Sequence, residues 1–194
     1  MVATKSSMLP IGTKAPYFRL EDVSSGKMIE LNETKDAKGY LVAFICNHCP
    51  FVIHLLDHLT IELNNLTKES IQVFAISSND TEKYPQDAPG KMRELSQKYG
   101  FNFPYLHDET QKVAISFSAA CTPDFFLFNE NLKLYYRGRY DDSRPGSEES
   151  VTGADLLNAT KSLLDEKSPP KVQLPSIGCN IKWRPGQEPS YFKG

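Results

Sequence analysis

The chain predicts an α/β fold of three layers, a central mixed β-sheet with helices on both faces. Three observations carry that prediction. Apolar stretches rich in β-branched and aromatic residues alternate with stretches of helical periodicity. The first two such strands are separated by a long amphipathic segment, as a parallel crossover requires. The last two flank a short turn cluster, as an antiparallel hairpin requires.

Each element has its own signal. Tyr40-Leu41-Val42-Ala43-Phe44-Ile45 reads as the first buried strand. From about Pro50 to Lys68, the residues Phe51, Val52, Leu55, Leu56, Leu59, Leu63 and Leu66 recur three and four apart, one apolar stripe of a helix. Ile71 to Ser77 reads as a strand buried on both faces. A polar loop with Pro85, Pro89 and Gly90 leads to a shorter helix around Lys91 to Tyr99, stopped by Gly100. Phe103-Pro104-Tyr105-Leu106 suggests a short extended piece, and Gln111 to Ala119 a further helix. Phe125 to Phe128 and Leu134 to Arg137 flank Asn129-Glu130-Asn131 and read as the hairpin. Leu156, Leu157, Thr160, Leu163 and Leu164 mark a closing helix.

Residues 1–167 accordingly form one domain. From Ser168 the composition shifts: Pro169, Pro170, Pro175, Pro185 and Pro189 forbid long helices. Ile177, Ile181, Trp183 and Tyr191 then read as anchors of an extended, Pro-rich tail, residues 168–194, packed on the domain.

Composition narrows the function. With 194 residues and a net charge of −2, the chain has no dominant basic block. That argues against general affinity for nucleic acid or for an anionic membrane surface. The first ten residues lack the apolar run of a signal peptide, and no segment approaches membrane-spanning length, so the expected location is cytoplasmic. Structural disulfides are uncommon there, and four cysteines favour redox or metal chemistry over stapling.

The sharpest motif is Cys46-Asn47-His48-Cys49-Pro50, placed where the first buried strand ends and the long helix begins. A helix N-terminus carries unpaired amide donors and the positive end of the macrodipole, so it stabilises negative charge. A cysteine there is biased toward thiolate, the form that attacks disulfides, peroxides and metals. Two cysteines three apart in one turn can also close on each other. Pro50 suits the first helical turn because the amide it lacks would have no helical partner there.

With these residues in place the chain resembles the thioredoxin-like superfamily: the strand–CxxC–helix unit, the order of helices and strands, and Thr122-Pro123 just before a hairpin strand. The resemblance implies that Pro123 is a cis-proline facing the CxxC turn, with the backbone of Thr122 offered to a bound partner chain. Leu9-Pro10-Ile11-Gly12-Thr13-Lys14-Ala15-Pro16-Tyr17-Phe18 is similar to the opening segment of the peroxiredoxin-like, AhpC/TSA-related branch. Asn79-Asp80, Tyr84-Pro85, Gly138-Arg139-Tyr140-Asp141-Asp142 and Gly178-Cys179-Asn180-Ile181-Lys182-Trp183 resemble further segments of that branch. The chain departs from peroxiredoxins at two places. The Thr or Ser three residues before the peroxidatic cysteine is replaced by Cys46 ahead of Cys49, or by Ala43 ahead of Cys46. Thr122 and Pro123 stand where an Arg would be expected. Without that hydroxyl and guanidinium, peroxide reduction loses much of its electrostatic support.

The expected activity is therefore thiol–disulfide exchange, with no cofactor. The expected partners are protein disulfides or dithiols or small thiols, with peroxide as the substrate of the peroxidase alternative. Cys46 is expected to be the exposed attacking thiolate, Cys49 the resolving thiol, and His48, when protonated, a positive neighbour that lowers the pKa of Cys46. Thr122 and Pro123 support the site. Cys121 and Cys179 read as packed cysteines, with an additional redox role as the other reading of each. Two rivals remain: a thiol peroxidase using Cys49, and a zinc- or copper-binding module in which Cys121, Cys179 or His48 completes the CxxC. His54 and His58, four apart on the helix, read as surface residues rather than metal ligands, and Asp141, Asp142 and Arg144 as a solvated turn.

Overall fold

The computed structural model describes residues 3–192. Its centre is a seven-stranded mixed sheet, ordered β3-β2-β6-β5-β4-β8-β9. The strands are β2 (Arg19–Asp22), β3 (Met28–Glu30), β4 (Gly39–Phe44), β5 (Ile71–Ser77), β6 (Tyr105–His107), β8 (Asp124–Asn129) and β9 (Leu134–Gly138). β4 runs parallel to β5, and β5 parallel to β6, while β8 and β9 form the hairpin on the other side of β4.

Period-two alternation sorts the strand side chains onto two faces. Leu41, Ala43, Val73, Ala75, Phe125 and Leu127 face one core. They meet Leu56, Leu59 and Leu63 of α1 (Pro50–Lys68), Met92 of α2 (Pro89–Tyr99), and Leu156 and Leu163 of α4 (Ala154–Leu164). Their neighbours Tyr40, Val42, Phe44, Phe74, Ile76, Phe126 and Phe128 face the opposite core, against Val113 and Ala114 of α3 (Lys112–Ser116) and against Phe18, Phe117 and Trp183. This is the three-layer arrangement.

The helix expected over Gln111 to Ala119 is shorter. Gln111 and Ser118 both take positive φ, 61° and 50°, and these two bends bracket five helical residues. Beyond them the chain becomes β7 (Cys121–Thr122), which the sequence pattern did not suggest. The short extended piece expected at Phe103-Pro104-Tyr105-Leu106 leads into β6, an interior strand between β5 and β2.

The last segment of the chain is built into a second sheet. β10 (Ile177–Asn180) lies between β1 (Ala3–Lys5) and β7, antiparallel to both. Ile181 and Trp183 then enter the core on the α3 side. The approach of β10 to β7 is close enough that a Cβ on Gly178 would lie 2.0 Å from the carbonyl oxygen of Thr122. Only a glycine fits that contact. Gly178→Ala should therefore cost about 1–3 kcal/mol, the range for forcing an extra methyl into a packed site. The melting temperature should fall by several degrees, and an unchanged melt would show that β10 is not held against β7.

Candidate active site

Strand β4 and helix α1 position the CxxC turn. The fully buried strand ends at Phe44, Cys46 follows Ile45 out of it, and Cys49 is the N-cap of α1, with Pro50 as the first helical residue. The Thr122–Pro123 peptide bond is cis, as the resemblance implied, and it brings Thr122 against both cysteines. Cys46 Sγ lies 3.3 Å from the Thr122 hydroxyl, and Cys49 Sγ lies 3.1 Å from the Thr122 carbonyl oxygen. Cys179 reaches the same place from β10, where it pairs in register with Thr122, and its thiol hydrogen-bonds Cys49. All four cysteines are buried: Cys46 is 1% exposed, Cys49 0%, Cys121 0% and Cys179 2%.

This geometry corrects the expected roles at three points. First, Cys46 is neither exposed nor the thiolate. Its proton is held by the hydrogen bond it gives to Cys49, and burial and the nearby Asp87 carboxylate push its pKa up further, well above the ordinary thiol range. Cys49 shifts in the opposite direction. Hydrogen bonds from the thiols of Cys179 and Cys46 outweigh its burial, and backbone amides of Val52 and Cys179 add to them, holding its pKa far below the usual value. The Thr122 carbonyl opposes this charge, but it is one acceptor against several donors.

Second, His48 does not act on Cys46 as a free cation. Its Nδ1 is 2.6 Å from Asp87 Oδ2, and its ring stacks on Tyr84 at 5.5 Å between centroids. Asp87 is fully buried and also accepts from the backbone N–H of Asn47 and from Asn79 Nδ2, both at 2.8 Å. The charge felt by Cys46 is thus the carboxylate's, and it raises the thiol pKa. Sequence reasoning missed Asp87 altogether. It lies in the polar loop Pro85-Gln86-Asp87-Ala88-Pro89, where neither periodicity nor spacing marks a buried carboxylate.

Third, the backbone of Thr122 is not open to a partner chain, because β10 already pairs with it. Cys121 gives its thiol to the Pro123 carbonyl at 3.6 Å and is kept protonated by burial and by the Asp124 carboxylate, which suits a packed cysteine.

The remaining expected residues sit elsewhere. His54 Nε2 meets the Ser143 hydroxyl at 3.1 Å and His58 Nδ1 meets the Tyr140 hydroxyl at 2.7 Å, so both tie α1 to the segment after β9. Asp141 is not solvated. Burial pushes its pKa up, but donors from Ser143, Gly153 and Thr152 hold it below the ordinary carboxylate value. As to a metal, Cys46 Sγ, a ring nitrogen of His48 and an Asp87 oxygen lie within 4.8 Å of one another. The Asp87 oxygens, however, are already occupied by the three donors named above.

Residues 11–137 match the AhpC/TSA family profile. The chain belongs to the AhpC/TSA family. Among solved structures, it is similar to an uncharacterised conserved protein from Geobacillus kaustophilus, with 45% identity over 96% of this chain and 98% of that one, at a TM-score of 0.93. A hypothetical protein from Sinorhizobium meliloti shares 43% identity over 94% of this chain and 100% of the other, at a TM-score of 0.91. The thioredoxin domain of a thiol-disulfide oxidoreductase from Bacteroides vulgatus shares the fold, at 17% identity over 81% of this chain and 99% of the other, with a TM-score of 0.61. A search of the curated proteins finds no match. No helix among the described residues of this AhpC/TSA-family chain is long and apolar enough to cross a membrane.

Two pH measurements check the charge assignment. The reduced protein should keep one equivalent of ultraviolet thiolate absorbance as the pH falls through neutrality, and Cys49→Ser should lose it. Absorbance that instead appears only around the ordinary thiol pKa of about 8.5 would remove the charge from Cys49. In Asp87→Asn the carboxylate that disfavours the Cys46 thiolate is gone, so in a Cys49→Ser background Cys46 should ionise at lower pH with the substitution than without it.

Proposed function

We propose that the protein is a cytoplasmic thiol–disulfide oxidoreductase working through the Cys46–Cys49 pair, without a cofactor, on protein or small-molecule disulfides. The observation that carries this is the placement of the pair: Cys49 caps the N-terminus of a helix, and Thr122 beside a cis-proline touches the sulfurs of both Cys46 and Cys49. As the Cys46 sulfur attacks a substrate disulfide, its proton passes to Cys49. A mixed disulfide forms on Cys46 and one substrate thiolate leaves. Cys49 then returns the proton to the second leaving sulfur as its own sulfur attacks Cys46, closing the Cys46–Cys49 disulfide. Both electrons end on the substrate, released as one thiol and one thiolate. Thr122 touches both sulfurs, Cys46 through its hydroxyl and Cys49 through its carbonyl, and His48 fixes the turn through Asp87.

Burial sets what can be attacked. A large client reaches Cys46 only if the surrounding loops shift, so small disulfides such as oxidised glutathione are the better substrates for the closed site. Stabilising the reduced thiolate makes the disulfide more oxidising, and the potential of the pair should lie above the roughly −270 mV of thioredoxin. A glutathione redox titration measures it. Turnover of a small disulfide should fall to background in both Cys46→Ser and Cys49→Ser. Full turnover in either variant would remove the pair from the mechanism.

One observation favours a second reading, a thiol peroxidase using Cys49. Its thiolate is the ionised sulfur, and a thiol donor, Cys46, occupies the place three residues earlier where peroxiredoxins carry a hydroxyl. Stopped-flow oxidation by hydrogen peroxide separates the two. A peroxidase reacts orders of magnitude faster than a free thiol, whereas the exchange enzyme does not.

A further inference from the structure

Cys49 has two thiol neighbours, and only one of them belongs to the CxxC turn. The other, Cys179, comes from the last strand of the chain, and the fold commits several independent contacts to holding it there. β10 pairs Cys179 with Thr122 and Asn180 with Cys121. On its other edge β1 pairs Ala3 with Cys179. The Ile181 amide bonds the Ala120 carbonyl at 3.2 Å, and the Lys182 amide bonds Asn79 Oδ1 at 2.9 Å. The Asp80 amide returns a bond to the Lys182 carbonyl at 2.8 Å. The glycine before Cys179 is the residue whose lack of a Cβ allows the strand to lie against the Thr122 carbonyl. The strand edge at the active site is thereby covered by the protein's own chain, which presents a thiol to Cys49.

Resting on the exchange reading of the Cys46–Cys49 pair, we propose that Cys179 is a third redox cysteine, and that the disulfide formed at the CxxC passes on to Cys49–Cys179. The step balances without an added oxidant. The Cys179 sulfur, deprotonated, attacks Cys49 Sγ. The Cys49–Cys179 bond forms as the Cys46–Cys49 bond breaks, and Cys46 leaves as a thiolate that takes up the proton given up by Cys179. One disulfide is lost and one gained, and Cys46 is returned reduced. The oxidant of the first step is the substrate disulfide.

The charge balance orders the two events. In the reduced protein, the hydrogen bond to Cys49, burial and the charge on Cys49 keep the proton on Cys179, while Lys182 pulls the other way. Once Cys49 is bound in a disulfide, the hydrogen bond and the charge of Cys49 vanish, and burial and Lys182 remain. Cys179 therefore becomes a better nucleophile when there is a disulfide for it to attack.

The full chain, reduced and then equilibrated with excess oxidised glutathione, is blocked with an alkylating agent, digested with trypsin and mapped by mass spectrometry. Cys46 and Cys49 lie in one tryptic peptide, residues 39–68, and Cys179 in another, residues 172–182. The wild type should yield these two peptides cross-linked, alongside the internal Cys46–Cys49 form. Cys46→Ser, in which Cys49 has only Cys179 as its partner, should yield the cross-link as its main disulfide. If the wild type forms Cys46–Cys49 and neither protein yields the cross-link, the relay is overturned while the exchange reading stands. A cross-link in Cys46→Ser alone also overturns it, since the CxxC disulfide then does not pass on. If the wild type forms neither the Cys46–Cys49 disulfide nor the cross-link, the exchange reading itself fails.

Discussion

The site depends on Thr122. Its hydroxyl touches Cys46 Sγ, its carbonyl touches Cys49 Sγ, and its strand pairs with the segment that carries Cys179. Three sulfurs, two from the CxxC turn and one from the last strand, are thus gathered around one residue of β7. The arrangement is also why the site is closed. A two-residue strand has two edges, and the one at the cysteines is filled by β10. An unpaired strand edge invites association with another chain. Here the chain satisfies that edge itself, and in doing so buries the thiols that the edge would otherwise help present.

Much of the fold was legible because its signals are local. The three-and-four spacing of Phe51 to Leu66 is one helical stripe, and α1 runs over Pro50–Lys68 as that stripe indicates. The buried strands β4, β5 and β8 read as apolar runs because helices cover both faces of the sheet. What failed to show has a common physical cause. β2 and β3 are four and three residues long and largely exposed, and each packs only one apolar residue, Leu20 or Ile29, against the core, too few to make a pattern. β7 and β10 are equally short, and their pairing joins residues more than fifty positions apart. The CxxC was legible because its spacing carries it, and the cis-proline only through the resemblance to the thioredoxin-like superfamily. Asp87 and Asp141 were not, since a buried carboxylate is marked only by the donors it finds in three dimensions: Asn47, His48 and Asn79 for one, Ser143, Thr152 and Gly153 for the other.

The same distinction explains why the CxxC turn was found but the ionised sulfur was misplaced. A helix N-terminus favours negative charge at whichever cysteine lies closest to it. Cys49, not Cys46, is the N-cap residue. The first cysteine of the motif stands further back, over Asp87, and an anionic neighbour disfavours a second negative charge beside it. His48 could have reversed that effect had it stood alone. Instead it is paired with Asp87 and stacked on Tyr84, which commits its ring to holding the turn.

Cys46 and Cys49 therefore act as a donor and an acceptor rather than as two equivalent thiols. In the AhpC/TSA family to which the chain belongs, the place three residues before the helix-capping cysteine is here filled by a second thiol. A thiol can donate a hydrogen bond there as a hydroxyl does, and unlike a hydroxyl it can also be oxidised. That single replacement turns a residue that would only polarise the thiolate into one that can share its disulfide. A nucleophile flanked by two such donors, Cys46 on the turn and Cys179 on β10, has its charge stabilised by the same groups that can later bond to it covalently. Electrostatic support and redox partner are then one set of atoms. Any substitution that loosens β10 must accordingly alter the acidity of Cys49 and the disulfides it can form together.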